Sequence, residues 1–156
     1  MHLDQDILVY PIAFLYRQYL ELRIKGLIEV TSELHDPNTD LQLGHDLVSL
    51  WTKLRPNIEK IWGWSKTNSD LNAIGDRLKE LCSVDPGSYA FRYPQDTQGV
   101  PNLLQMRYIN LKQLKDVIHD ISLVLDNMSI GMGEQLKEIR KLRYEMAQDQ
   151  AEMNSE

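Results

Sequence analysis

Residues 111–132 read LKQLKDVIHDISLVLDNMSIGM, and their spacing decides the fold class. Leu111, Leu114, Ile118, Ile121, Leu125, Met128 and Met132 alternate spacings of three and four. That is a heptad seam, the pattern with which helices pack at about 20° in bundles and coiled coils. Gly131 and Gly133 are expected to interrupt it, each weakening a helix by about 1 kcal/mol relative to Ala. Leu136, Ile139, Leu142 and Met146 resume the pattern. The polar segment after Gln148 is expected to fray.

Working back from the seam, three further helices are expected. The first runs from about Asp4 or Pro11 to His35 and is apolar almost all round, which predicts a central, heavily buried helix. Pro11 fits a first helical turn and kinks a helix elsewhere. Asp36-Pro37-Asn38 ends it with turn chemistry. The second opens near Gly44-His45-Asp46 and carries Leu47, Leu50, Trp51 and Leu54. Pro56 should break or bend it, with Asn57 to Trp62 continuing as a separate piece. The third runs from about Ser69 to Cys82, with Leu71, Ile74, Leu78 and Leu81 at helical spacing and Ser69 or Asn68 as its cap. From Ser83 to Pro101 the chain turns loop-like, and a connection this long is often functional. No long stretch alternates apolar and polar residues as a half-buried strand would.

The totals agree with one bundle domain over residues 1–148 and a polar tail over 149–156. A chain of 156 residues can bury roughly two-thirds of its unfolded surface. Hydrophobic residues make up 42% and charged residues 26%, a globular balance. The net charge of −6 repels phosphate backbones at long range and argues against non-specific nucleic-acid binding. Cys82 is the sole cysteine, so no internal disulfide forms. Its expected role is that of a small buried apolar residue. The first residues lack the basic start and cleavage site of a signal peptide. Arg17, Gln18 and Glu21 cut the first apolar run short of a membrane span. A cytoplasmic protein with no membrane partner is the expectation.

Few residues invite chemistry. Arg17, Glu21, Lys25 and Glu29 form one stripe at spacings of four. It is either a solvent face laced by weak i,i+4 ion pairs or a polar groove that faces a partner. Gly44-His45-Asp46 either serves helix geometry, with Asp46 complementing the dipole, or offers His45 as an acid, base or phosphate contact. Arg92 and Tyr93, beside Phe91, either anchor the loop to the bundle or stack on a base and clamp a phosphate. His2, His35 and His119 share no ligand spacing, and no metal or cofactor is expected. Phosphate-loop and nucleophile-elbow motifs are absent from the sequence.

Three segments in order carry a resemblance: Leu15-Tyr16-Arg17-Gln18-Tyr19-Leu20-Glu21-Leu22, then Gly44-His45-Asp46-Leu47 with Leu50-Trp51, then Ser88-Tyr89-Ala90-Phe91-Arg92-Tyr93-Pro94. Together, over roughly residues 10 to 125, they resemble HEPN-like domains of bacterial proteins. The resemblance implies an all-α, antiparallel four- to five-helix bundle with a long aromatic loop before the last helix. It also implies frequent homodimers, association with nucleotides or RNA, and roles in toxin–antitoxin or phage-defence systems. The ribonucleases of that family carry Arg, four to six residues, then His on one helix. Here Arg17, Arg23 and Arg107 all lack a His in that window.

The leading expectation is therefore a non-catalytic HEPN-like module that dimerises or binds a protein or nucleotide partner. Its binding candidates are Arg17, Glu21, His45, Asp46, Arg92 and Tyr93. The alternative is a metal-independent ribonuclease with Arg17 and His45 as a composite catalytic pair, with His45 moving a proton and arginines holding phosphate charge. The chain also reads as one domain of a larger protein, positioning a neighbouring effector domain.

Overall fold

The computed structural model describes residues 3–35, 41–65, 67–85, 92–93, 95, 97–100 and 109–154, with residues 3–7 as backbone only. Among the described residues there are four helices: α1 (Leu3–His35), α2 (Leu47–Trp62), α3 (Ser69–Val84) and α4 (Leu111–Met153). No β-strand occurs among the described residues. The all-α expectation holds.

Local chemistry sets the helix ends. Asp46 accepts a hydrogen bond from the Ser49 amide at 2.7 Å and caps α2. Gly63, at φ 63°, ends α2 in the left-handed conformation and donates its amide to the Glu59 carbonyl. The Asn68 side chain caps α3 by accepting from Asp70 and Leu71, and Asn110 caps α4 by accepting from Gln113.

Two expected breaks do not occur. α2 runs unbroken through Pro56. Pro56 and Thr52, whose carbonyl loses its partner, both lie on the exposed side, where water satisfies that carbonyl. α4 also runs through Gly131 and Gly133 as one 43-residue helix. Trp62 explains Gly131, since a Cβ there would lie 3.3 Å from the indole of Trp62. The glycine lets the Trp62 side chain, at the end of α2, lie close against α4. Met153, where α4 ends, lies inside the tail expected to fray.

The antiparallel arrangement also needs correction. Arg23 on α1 pairs with Asp126 on α4, and Glu33 pairs with Arg140, so the residue numbers rise together. Arg17 meets His45 at the start of α2, and Thr31 meets Asn57 near its end. α1 is therefore parallel to both α4 and α2. Only α3 runs the other way, with Gly75 against Trp51. The cause is the connection from residue 36 to residue 46. Eleven residues span up to about 36 Å, whereas the climb from His35 back to Glu21 is roughly 21 Å. Residues 41–46 lead to the start of α2 beside Arg17, with Leu41 and Leu43 partly buried. Crossover connections of this kind make neighbouring helices parallel.

α1 packs against both α2 and α4. Its Leu20, Ile24, Leu27 and Ile28 meet Leu47, Leu50, Leu54 and Ile58 of α2 in one core with Ile118, Ile121, Leu125, Met128 and Met132 of α4. Cys82 is buried, as expected. Burial forces its thiol above the ordinary value and nearby Asp46 adds to this, while the Val48 and Leu47 amides oppose it. The α4 seam is buried as far as Leu136. Beyond Arg143, where Glu33 closes the contact with α1, Met146 and Met153 are exposed.

Candidate functional site

The stripe on α1 faces inward at its start. Arg17 and Glu21 are each 2% exposed, whereas Glu29 is exposed. Arg17 donates from Nη2 to the His45 carbonyl at 3.1 Å. Its Nη1 lies 3.6 Å from Glu21 Oε2, and its Nε lies 4.0 Å from Asp85 Oδ2. Asp85 is fully buried. One guanidinium thus sits between two carboxylates, at the meeting of α1, the start of α2 and the end of α3.

Glu21 has two further partners. Lys25 Nζ and His45 Nδ1 both lie 2.8 Å from its Oε1. Burial acts to raise the Glu21 carboxyl. The hydrogen bonds from Lys25 and His45, with the charges of both, outweigh it and hold the group below its ordinary value. Asp46 is also lowered, first by the Ser49 hydroxyl, against a smaller opposing effect of burial and with help from the Ser49 amide and the Arg17 charge.

Arg17 and His45 are therefore brought together, but not as two side chains sharing one space. Arg17 holds the backbone of His45, and Glu21 holds its ring. The His45 side chain is 79% exposed. Nδ1 is bound to Glu21 while most of the ring stands in solvent. The arrangement can orient one exposed imidazole. It does not offer Arg17 to an incoming phosphate, because that guanidinium is sealed and its charge is matched within the chain.

Arg92 and Tyr93 are exposed. The Arg92 guanidinium lies 5.6 Å from the centre of the Phe14 ring and 5.4 Å from that of Tyr93, a cation–π arrangement that ties this point of the loop to α1. The rest of Ser88–Pro94 lies outside the described residues. Asp85 was missed by sequence reasoning, because Val84-Asp85-Pro86-Gly87 has the chemistry of an ordinary turn.

A cleft of about 590 Å³ opens between α2 and α3, lined by Trp51, Thr52, Arg55, Glu59, Asp76 and Lys79 among others. Arg55 and Glu59 bond each other along its α2 wall at 2.8 Å. Among the described residues, no group of three or more His, Cys, Asp or Glu side chains is placed to hold a metal ion. No described helix is long and apolar enough to cross a membrane.

Comparison of the chain with protein-family models, curated proteins and solved structures finds no match.

Proposed function

We propose that the chain is a non-catalytic, HEPN-like helical module that works by holding a second copy or another protein. The observation that carries this is the burial of Arg17. A ribonuclease of the kind weighed above needs a cation within reach of phosphate, and Arg17 is 2% exposed between Glu21 and Asp85. What the chain does present is apolar. Leu15, Leu22 and Ile130 are each more than half exposed, and contiguous exposed apolar surface marks interaction sites. In the bacterial defence or toxin–antitoxin setting that the resemblance implies, such a module would position a partner that handles nucleotide or RNA. The parallel pairing of α1 with α2 departs from the antiparallel bundle of that resemblance, so the family assignment rests on its three sequence segments.

The RNA-cleaving alternative keeps one support. Glu21 fixes the ring of an exposed His45, as an orienting carboxylate does for a general base. Incubation of the purified chain with total RNA separates the two. No cleavage above background is expected from the wild type or from His45→Ala. Cleavage by the wild type that falls 100-fold or more in His45→Ala would overturn the non-catalytic assignment.

A further inference from the structure

At His45 a sealed support holds an open ring. Arg17 and Glu21 are both buried. Arg17 donates to the His45 carbonyl at 3.1 Å, and Glu21 Oε1 lies 2.8 Å from the ring's Nδ1. The His45 side chain itself is 79% exposed. Desolvating charged groups is costly, and an ion pair to a group standing in water returns little stability. What the contact fixes is the chemistry of the ring. Glu21 is held below its ordinary value and is ionised near neutral pH, so it can only accept a hydrogen bond. The proton of the neutral imidazole therefore sits on Nδ1, and Nε2 keeps the lone pair. Among the described residues, the bond to Glu21 is the one hydrogen bond of the ring.

Beyond the holding role proposed above, and without resting on it, we propose that His45 Nε2 is a phosphoryl-acceptor site, taking its group from an acyl phosphate or a phosphoramidate. Three features favour this use. An imidazole with a carboxylate behind it is a nucleophile that can carry a covalent group. As the Nε2–P bond forms, the ring gains a positive charge, and Glu21 offsets that charge across Nδ1–H. Second, Lys25 bonds the same Glu21 oxygen at 2.8 Å, so its ammonium stands no more than twice that distance from Nδ1 and draws the negative phosphoryl group. The neighbouring carboxylate, Asp46, is tied to the Ser49 amide. Third, the ring stands clear of the chain, so a donor can approach with its leaving group in line with Nε2. With phosphoramidate, the Nε2 lone pair forms the N–P bond while the donor's P–N bond breaks. That electron pair leaves on ammonia, which takes away the protons of the donor nitrogen. With an acyl phosphate, the P–O bond breaks and a carboxylate leaves. In both, Nδ1 keeps its proton, hydrogen-bonded to Glu21.

The full chain is incubated at about pH 8, where an unpaired imidazole is uncharged, with potassium phosphoramidate in one arm and acetyl phosphate in the other. Products are read by phosphorus NMR and by mass spectrometry under alkaline conditions. His35 and His119, both exposed, are internal references. His45 is expected to react roughly 10-fold or more faster than either, the scale on which a carboxylate behind an imidazole acts, and to carry the group on Nε2 alone. His45→Ala should remove that label and leave only slow labelling of His35 and His119. Glu21→Gln keeps the side-chain shape and removes the charge. It should bring the His45 rate down to that of His35 with the helical circular dichroism unchanged, whereas a merely structural Glu21 would leave the rate as it is. Should Glu21→Gln unfold, the nitrogen that carries the group in the wild type still decides. A His45 rate no greater than that of His119 in both arms overturns the acceptor site, and so does a phosphoryl group on Nδ1 or an unchanged His45 rate in folded Glu21→Gln. Fast reaction in one arm alone supports the site and identifies the class of donor.

Discussion

The two long faces of α1 reverse the usual order of an amphipathic helix. The inner face near its start buries Arg17 and Glu21, and the outer face exposes Leu8, Leu15 and Leu22. Charges normally stay in water because desolvating an ion costs several kcal/mol unless it is paired. Here the pairing is supplied by Lys25 of the same helix and by two other segments of the chain, through His45 and Asp85. The lesson is that an isolated helix pattern does not say which side is inside. The partners decide, and α1 finds carboxylates where a core would normally offer leucines.

The largest effect should come from breaking the inner face. Glu21→Ala leaves Arg17 buried with one carboxylate fewer and unties His45 and Lys25. It should destabilise the fold by about 3 kcal/mol, read as a lower urea midpoint with unchanged slope. A change under about 1 kcal/mol would mean that the Arg17 cluster is wetter than its burial indicates.

Acid should act on the same cluster, with a smaller effect. Glu21 titrates below its unfolded value of 4.5 in the folded chain. Its contribution is therefore fully present above that value and is lost as pH falls through the depressed one. Glu21→Gln removes this contribution while keeping the side-chain shape. Unfolding followed between pH 6 and pH 3 should show the wild type losing more stability than the variant. Parallel curves would refute the assignment.

The smallest effect belongs to the outer face. In the monomer, Leu22→Gln alters a side chain already 59% in water, so stability should move by no more than about 0.5 kcal/mol. Thermal melts at a concentration too low for pairing would check this. A loss near 2 kcal/mol would show that the face is covered within the chain.

Much of the fold could be read from residue spacing, and the reasons are physical. Leu111 to Met132 and Leu71 to Leu81 recur at helical intervals because burial selects one face, and that is visible without a structure. Pro56 and Gly131 misled because their cost depends on surroundings: open water beside Pro56, and the Trp62 indole over Gly131. Helix direction was hidden, because residues 36–46 are long enough either to turn back or to return. For the candidate site, the stripe Arg17–Glu21–Lys25 and the His45 segment were visible, and so was a meeting of Arg17 with His45. The form of that meeting was not: Arg17 holds the His45 carbonyl and Glu21 its ring. Asp85 completes the cluster from a turn, and turn residues carry no periodicity that would reveal a buried side chain.

The parallel pairing of α1 with α4 also bears on synthesis. Arg23 and Asp126 stand 103 positions apart, and Glu33 and Arg140 stand 107 apart. At ~5–20 residues per second on a ribosome, α1 waits roughly 5–20 s for α4 after it has been made. During that interval α2 is the helix that can cover it, and its Leu20, Ile24 and Leu27 lack the α4 side of their eventual core. The rate of chain elongation thus sets how long the stickiest helix of the protein stays half-clothed. Ribosome profiling and nascent-chain chaperone capture would find that window between residues 85 and 140.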